Sequence, residues 1–305
     1  MSLFFAFLVA AIPGLPLAAG LMARTRDAGA AGRLTVRAAL LAAGLALVAA
    51  AYAALLGSHT VRWSPLGPDA AFALALRLDA VSAIMIVLIT FLGATVLRFS
   101  RHYLAGDQAQ ARFFSWMSLT LGAVLTLVLS GHLLLLLLAW VATSLCLHRL
   151  LLHYPGRPGA VFSARKKFVI SRLGDACLLA AALVLYAHHH TFDLESLFAS
   201  IAAGNTAGLG TASLLLAACA MLKSAQFPFH SWLPDTMETP TPVSAFMHAG
   251  IINAGGFLVV RFSPLFAAAP TASQILAVVG AITAAFGAIV MLAQPSVKRA
   301  LAYST

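Results

Sequence analysis

Charge is what this chain has least of. Only 9% of its 305 residues are charged, and the nine Asp and Glu are outnumbered by nineteen Lys and Arg. Soluble domains carry about 25% charged residues, so a water-solvated surface is excluded over most of the sequence. Cysteine is also scarce: Cys146, Cys177 and Cys219 lie far apart in apolar runs and form no C-x-x-C pair. They read as buried free thiols, not as a disulfide, zinc or iron–sulfur framework. No G-x-x-x-x-G-K-[ST] loop, no G-x-G-x-x-G after a strand and no H-E-x-x-H is present. Nucleotide hydrolysis and dinucleotide binding find no motif. Catalysis within this chain is not expected, nor is a cofactor or metal of its own.

What is there is apolar: 61% of residues are hydrophobic, with a mean hydropathy of +0.95. Runs near the ~20 residues that cross a bilayer fall at about 2–22, 35–56, 79–97, 113–130, 132–152, 167–187, 211–227, 241–261 and 272–293. The first lacks a positive n-region and is followed by Arg24 and Arg26, so it reads as a retained span and not a cleaved signal. Between the second and third runs, VRWSPLGPDAAFALALRLDA alternates around Pro68-Asp69 and predicts a short hairpin. The closing QPSVKRALAYST opens a further helix. The expectation is an all-α polytopic membrane helix bundle of about nine spans plus the start of a tenth, as one transmembrane domain over 1–305.

The net charge of +10 is dispersed over loops and helix ends, which disfavours a nucleic-acid face. Alternate loops collect the cations: Arg24, Arg26 and Arg33; Arg98, Arg101 and Arg112; Arg149, Arg157, Arg165, Lys166 and Lys167; Lys298 and Arg299. The loops between them offer Arg62, Arg77 and Arg261. The positive-inside rule then places the N-terminus outside and the odd-numbered loops in the cytoplasm. The loop holding Asp235 and Glu238 is acidic against that count, a mild exception.

Chemistry concentrates in residues 221–254, MLKSAQFPFHSWLPDTMETPTPVSAFMHAGIINA. Lys223 ends an apolar run, Pro228 interrupts the helix, and His248 lies in the next run. An ionisable residue in a membrane span is a functional-site hypothesis by default, and a helix broken at that depth must be satisfied by protein or a water-filled cavity. A low-dielectric site disfavours an ammonium, and a nearby anion restores it, so such a lysine can load and release a proton. Snorkelling to an interface is the alternative. In an unbroken helix Gln226 and His230 would share the face of Lys223 at i+3 and i+7, which Pro228 weakens. His248 can relay protons or serve as a hydrogen-bonded core residue. Arg172 and Asp175 sit three residues apart at the start of the sixth span, as charge near the path or as a structural pair. Arg149 and His148 end the fifth span, Arg149 first as a topology anchor. His188–His190 read as a solvated outer loop, and nothing in the spacing of His148 and His248 singles out a haem.

KSAQFPFHSWLPDTMETPTPVSAFMHAG, with KKFVISRLGD and VKRALAYST, resembles the proton-pumping, antiporter-like membrane subunits. These include subunit L of respiratory NADH–quinone oxidoreductase, the MrpA protein of Mrp sodium/proton antiporters and the DabB-type membrane subunits of inorganic-carbon accumulation complexes. The resemblance implies a broken seventh helix with a proton-handling lysine at Lys223, a histidine at His248, and the family's Arg and Asp at Arg172 and Asp175. Members continue through further helices, including a second broken one, so the chain reads as truncated relative to the family. Respiratory and Mrp members carry a glutamate after a tryptophan in the fifth helix; here Trp140 is followed by Val141. WVATSLCLHRLL and HAGIINAGG look more like the DabB type. That likeness implies H+ or Na+ influx through a bacterial inner-membrane subunit, coupled to CO2 hydration by a partner similar to β-carbonic anhydrases (DabA type), which would carry the zinc. A respiratory or Mrp subunit is the alternative, and a scaffold that has lost transport is a third.

Overall fold

The computed structural model describes residues 3–64 and 73–305. They form two compact units, Met1–His153 and Tyr154–Thr305. Among the described residues eight helices are long and apolar enough to cross a membrane, and a ninth apolar helix is shorter.

The first unit contains α1 (Leu3–Met22), α2 (Ala28–Leu56), strands β1 (His59–Trp63) and β2 (Leu74–Leu78), α3 (Ala80–Tyr103), α4 (Gln110–Leu129) and α5 (Leu133–Leu151). α4 is its buried centre, packing on α1, α2, α3 and α5. Glycine sets the α1–α4 approach, since a Cβ at Gly20 would come within 2.7 Å of Leu119 and one at Gly122 within 2.5 Å of Leu17. Ser115 and Ser118 of α4 donate to the Gly20 and Pro16 carbonyls of α1 at 2.7 and 2.8 Å, so polar α4 side chains find partners without water. Asp27 caps α2 by accepting from Ala30 N–H; that hydrogen bond holds its carboxyl below the usual carboxylate range. Arg24 and Arg149 both lie over the Trp116 ring, at 4.7 and 5.9 Å, which suits the anchor role of Arg149.

The predicted hairpin forms: β1 and β2 pair antiparallel from His59↔Leu78 to Trp63↔Leu74. Its Pro68-Asp69 turn lies outside the described residues. β2 is fixed to the α4–α5 connection through Gly131 N–H to Ala75 O at 2.8 Å. Asp79 then starts α3 with a capping box to Ser82.

The second unit opens with α6 (Pro158–His189), which begins earlier than the apolar run at 167–187. Pro158 at the first turn starts the helix there, so Arg165, Lys166 and Lys167 are helical and not in a loop. His188 and His189 end the same helix, and the expected loop that follows holds a further short helix, α7 (Leu194–Ala202). Asp193 caps α7, and Leu194, Leu197 and Ile201 are its buried face. Then come α8 (Leu209–Lys223), α9 (Trp232–Asp235), α10 (Thr241–Phe246), α11 (Ala254–Arg261), α12 (Ser263–Ala268), α13 (Pro270–Leu292) and α14 (Val297–Ser304). α8 packs on α6, α11 and α13. At 15 residues it rises about 22 Å, less than the ~30 Å hydrocarbon core.

Candidate functional site

Lys223 is the last residue of α8, where a cation complements the helix dipole. Its side chain runs along α6 past Gly174, where a Cβ would lie 3.4 Å from Lys223 Cε. It ends at Asp175, with Nζ 2.9 Å from Oδ1 and the two side chains 12% and 10% exposed. The other Asp175 oxygen lies 2.6 Å from Arg172 Nη2. Lys223 is therefore folded inward onto a carboxylate and does not snorkel. Two cations share one anion here. Loss of a proton from Lys223 removes the excess positive charge, and a change in Asp175 acts directly on the ammonium.

The helix breaks earlier than Pro228 suggests. α8 stops at Lys223, Ser224 N–H closes on Ala220 O at 2.9 Å, and Ala225 takes a left-handed φ of 52°. Phe227 N–H, freed by the break, donates to Thr283 Oγ1 of α13 at 3.0 Å. Because the turn is complete before Gln226, the i+3/i+7 face expected for Gln226 and His230 does not form. His230 sits in a 3₁₀ turn, Phe229–Ser231. Its ring lies 5.8 Å from that of Phe227 and 4.6 Å from that of Phe286. It lines a small cavity of ≈ 50 Å³ with Ser224, Phe286 and Tyr303.

The eighth span is also irregular. Between α10 and α11, Met247–Ile251 is a π-helical turn, closed by Ile252 N–H to Met247 O at 3.1 Å. π-turns are rare and frequent at functional sites. His248 lies in it, and both ring nitrogens are buried without a hydrogen-bond partner. The two irregular segments meet: Ser224 Oγ donates to Ile252 O at 2.9 Å. Gly255 lies so close that a Cβ there would be 2.5 Å from Ala220 O.

Ion pairs that loop counting does not anticipate explain the acidic loop. Asp235 Oδ2 meets Lys166 Nζ at 2.7 Å, and Glu238 stands 3.9 Å from Arg157. Lys298 donates to the carbonyls of Met237 and Thr239 at 2.7 and 2.8 Å. The signal was present as an acidic loop in a basic series, but partners on separate helices are invisible to a count made loop by loop.

Residues 130–305 match the family model described as NADH:quinone oxidoreductase/Mrp antiporter, TM, more than half of the chain. The chain belongs to this antiporter family. Residues 63–114 match a second model, NADH-Ubiquinone oxidoreductase (complex I), chain 5 N-terminus. The antiporter-family chain is 43% identical over 230 residues to the probable inorganic carbon transporter subunit DabB of Hydrogenovibrio crunogenus, covering 74% of this chain and 44% of that one. It is 38% identical over 310 residues to the probable subunit DabB1 of Halothiobacillus neapolitanus, covering 96% and 54%. It is also 41% identical over 241 residues to the chloroplastic NAD(P)H-quinone oxidoreductase subunit 5 of Physcomitrium patens, covering 77% and 34%. The chain spans about half the length of the DabB relatives it matches. Among solved structures, the Mrp complex from Dietzia sp. DQ12-45-1b has a chain that superposes with a TM-score of 0.86 at 29% identity, covering 99% of this chain and 33% of that one. The antiporter-like fold of this family member is thereby shown, as is its character as a multi-pass membrane protein.

Proposed function

We propose that this chain is an ion-translocating part of a DabB-type membrane subunit in an energy-coupled inorganic-carbon pump. H+ or Na+ moves down its gradient through a path that includes Lys223, Asp175, Arg172 and His248, with His230 beside the break. The observation that carries this reading is the Lys223–Asp175 pair. Where Val141 follows Trp140, the family resemblance leads one to expect a glutamate as the lysine's partner; Asp175 supplies an anion to Lys223 instead. A buried carboxylate shared between an ammonium and a guanidinium makes protonation of one group sensitive to the position of the others. The DabB likeness supports coupling of that flux to CO2 hydration by a DabA-type partner, similar to β-carbonic anhydrases and holding the zinc. In this reading the subunit sits in a bacterial inner membrane with its N-terminus outside, as the distribution of Lys and Arg favours.

A respiratory or Mrp-type antiporter subunit is the second reading, favoured by the chloroplastic relative and the Mrp superposition. The test is to tag the subunit in its native membrane, solubilise it gently and identify what co-purifies. A zinc-bearing, carbonic-anhydrase-like protein is expected, and quinone-reductase or antiporter subunits would overturn the carbon-pump assignment. Lys223→Ala is expected to abolish ion flux; retained flux would leave a scaffold as the better description.

A further inference from the structure

The break after Lys223 and the π-turn holding His248 are two irregular segments on different helices, and one side chain spans them. The hydroxyl of Ser224, next in sequence to Lys223, donates 2.9 Å to Ile252 O, a carbonyl just beyond the π-turn. In a continuous α-helix that carbonyl would accept from Gly256 N–H; here α11 begins at Ala254, and its first capping bond runs from Phe257 N–H to Asn253 O. Close approach is a second, independent feature. A Cβ on Gly255 would overlap Ser224 Oγ and lie 2.5 Å from Ala220 O, so only glycine lets α11 meet the end of α8. His248, meanwhile, lies within the π-turn with its ring nitrogens buried, so its orientation follows the register of that turn.

Given the reading of Lys223 and His248 as parts of one ion path, we propose that Ser224 is a positioning residue that latches the π-turn to the break in α8. A π-turn holds one residue more than regular helix, and losing it would rotate the segment bearing His248 by about 100° relative to α11. The Ser224 hydroxyl favours the π register by satisfying a carbonyl that regular helix would satisfy internally. It ties the orientation of His248 to the backbone next to Lys223. A shift in one segment is therefore transmitted to the other through a single hydrogen bond and a glycine contact. The latch defines a positional coupling and forms no covalent bond.

The test compares Ser224→Thr with Ser224→Val in the full-length subunit within its native membrane complex. The two side chains share a shape and differ in the hydroxyl. Hydrogen exchange is read over residues 248–257 alongside ion flux. Thr is expected to keep both near wild type. Val is expected to speed exchange there by about tenfold, the effect of one hydrogen bond of ordinary net strength, and to lower flux by a similar factor. Ser224→Ala, which adds no bulk against Gly255, is expected to follow Val. Equal exchange in Thr and Val would overturn the latch, and faster exchange in Val with unchanged flux would overturn its positioning role. Lys223→Ala serves as the control in the same flux assay. If it retains flux, the ion-path reading fails, while the exchange contrast still reports on the latch.

Discussion

Lys223 Nζ and Asp175 Oδ1 stand 2.9 Å apart, on two helices of one unit, with both side chains largely shielded from solvent. Removing one member of such a pair leaves an uncompensated buried charge, which costs about 3–5 kcal/mol, whereas removing both is far milder. Asp175→Asn is therefore expected to lower thermal stability strongly and suppress ion flux. The double variant Asp175→Asn/Lys223→Gln should recover most of the stability and none of the flux. A double-mutant cycle from thermal unfolding in detergent checks this; additive losses would show that the pair is not coupled.

Gly255 should tolerate no side chain. Its Cβ position is 2.5 Å from a backbone oxygen that cannot swing aside. Gly255→Ala is expected to cost about 1–3 kcal/mol by overpacking, although alanine is the better helix former. Gly256, where a Cβ meets nothing within 4 Å, should accept alanine with little change. Melting temperatures of the two variants, measured side by side, decide the point.

The two lysine contacts around the acidic loop should differ in weight. Lys166 and Asp235 are 30% and 36% exposed, and the further bond from Lys166 to Ser231 O at 3.1 Å is exposed too, so Lys166→Met should cost less than about 1 kcal/mol, with the ion-pair share fading with salt. Lys298 satisfies two part-buried carbonyls, those of Met237 and Thr239. Lys298→Met should destabilise residues 236–241 by about 1–3 kcal/mol. Hydrogen exchange over that segment, measured in the two variants side by side, separates them.

Asp79 both caps α3 and receives Arg77 Nε at 3.0 Å. Asp79→Ala should cost about 1–2 kcal/mol and loosen the join between the hairpin and α3. Limited proteolysis between residues 73 and 80 is expected to accelerate in that variant and to stay at the wild-type rate in Arg77→Lys.

The spans were legible because crossing a bilayer demands long apolar runs, a requirement written directly into composition. The hairpin strands were legible for a related reason, since alternation of period two survives in a short segment. The broken seventh helix was visible through Pro228, yet the helix ends at Lys223. The position of the break depends on partners elsewhere in the fold, namely Thr283 for the Phe227 N–H and Ile252 for the Ser224 hydroxyl. α7 was missed because nine residues bounded by polar ones give too little periodicity to stand out from a loop.

By itself the sequence determined a membrane-embedded helical chain with a sparse set of ionisable residues, because burying charge in hydrocarbon is costly and each exception is conspicuous. Only the tertiary structure decided which of those residues meet. Asp175 faces Lys223; His230 turns toward Phe227 and Phe286; and His248 rides on a π-turn held by Ser224. The physical reason is that hydropathy is a local property of the chain. Ion pairing and the satisfaction of freed backbone groups depend on which helices pack together, and no local pattern encodes that.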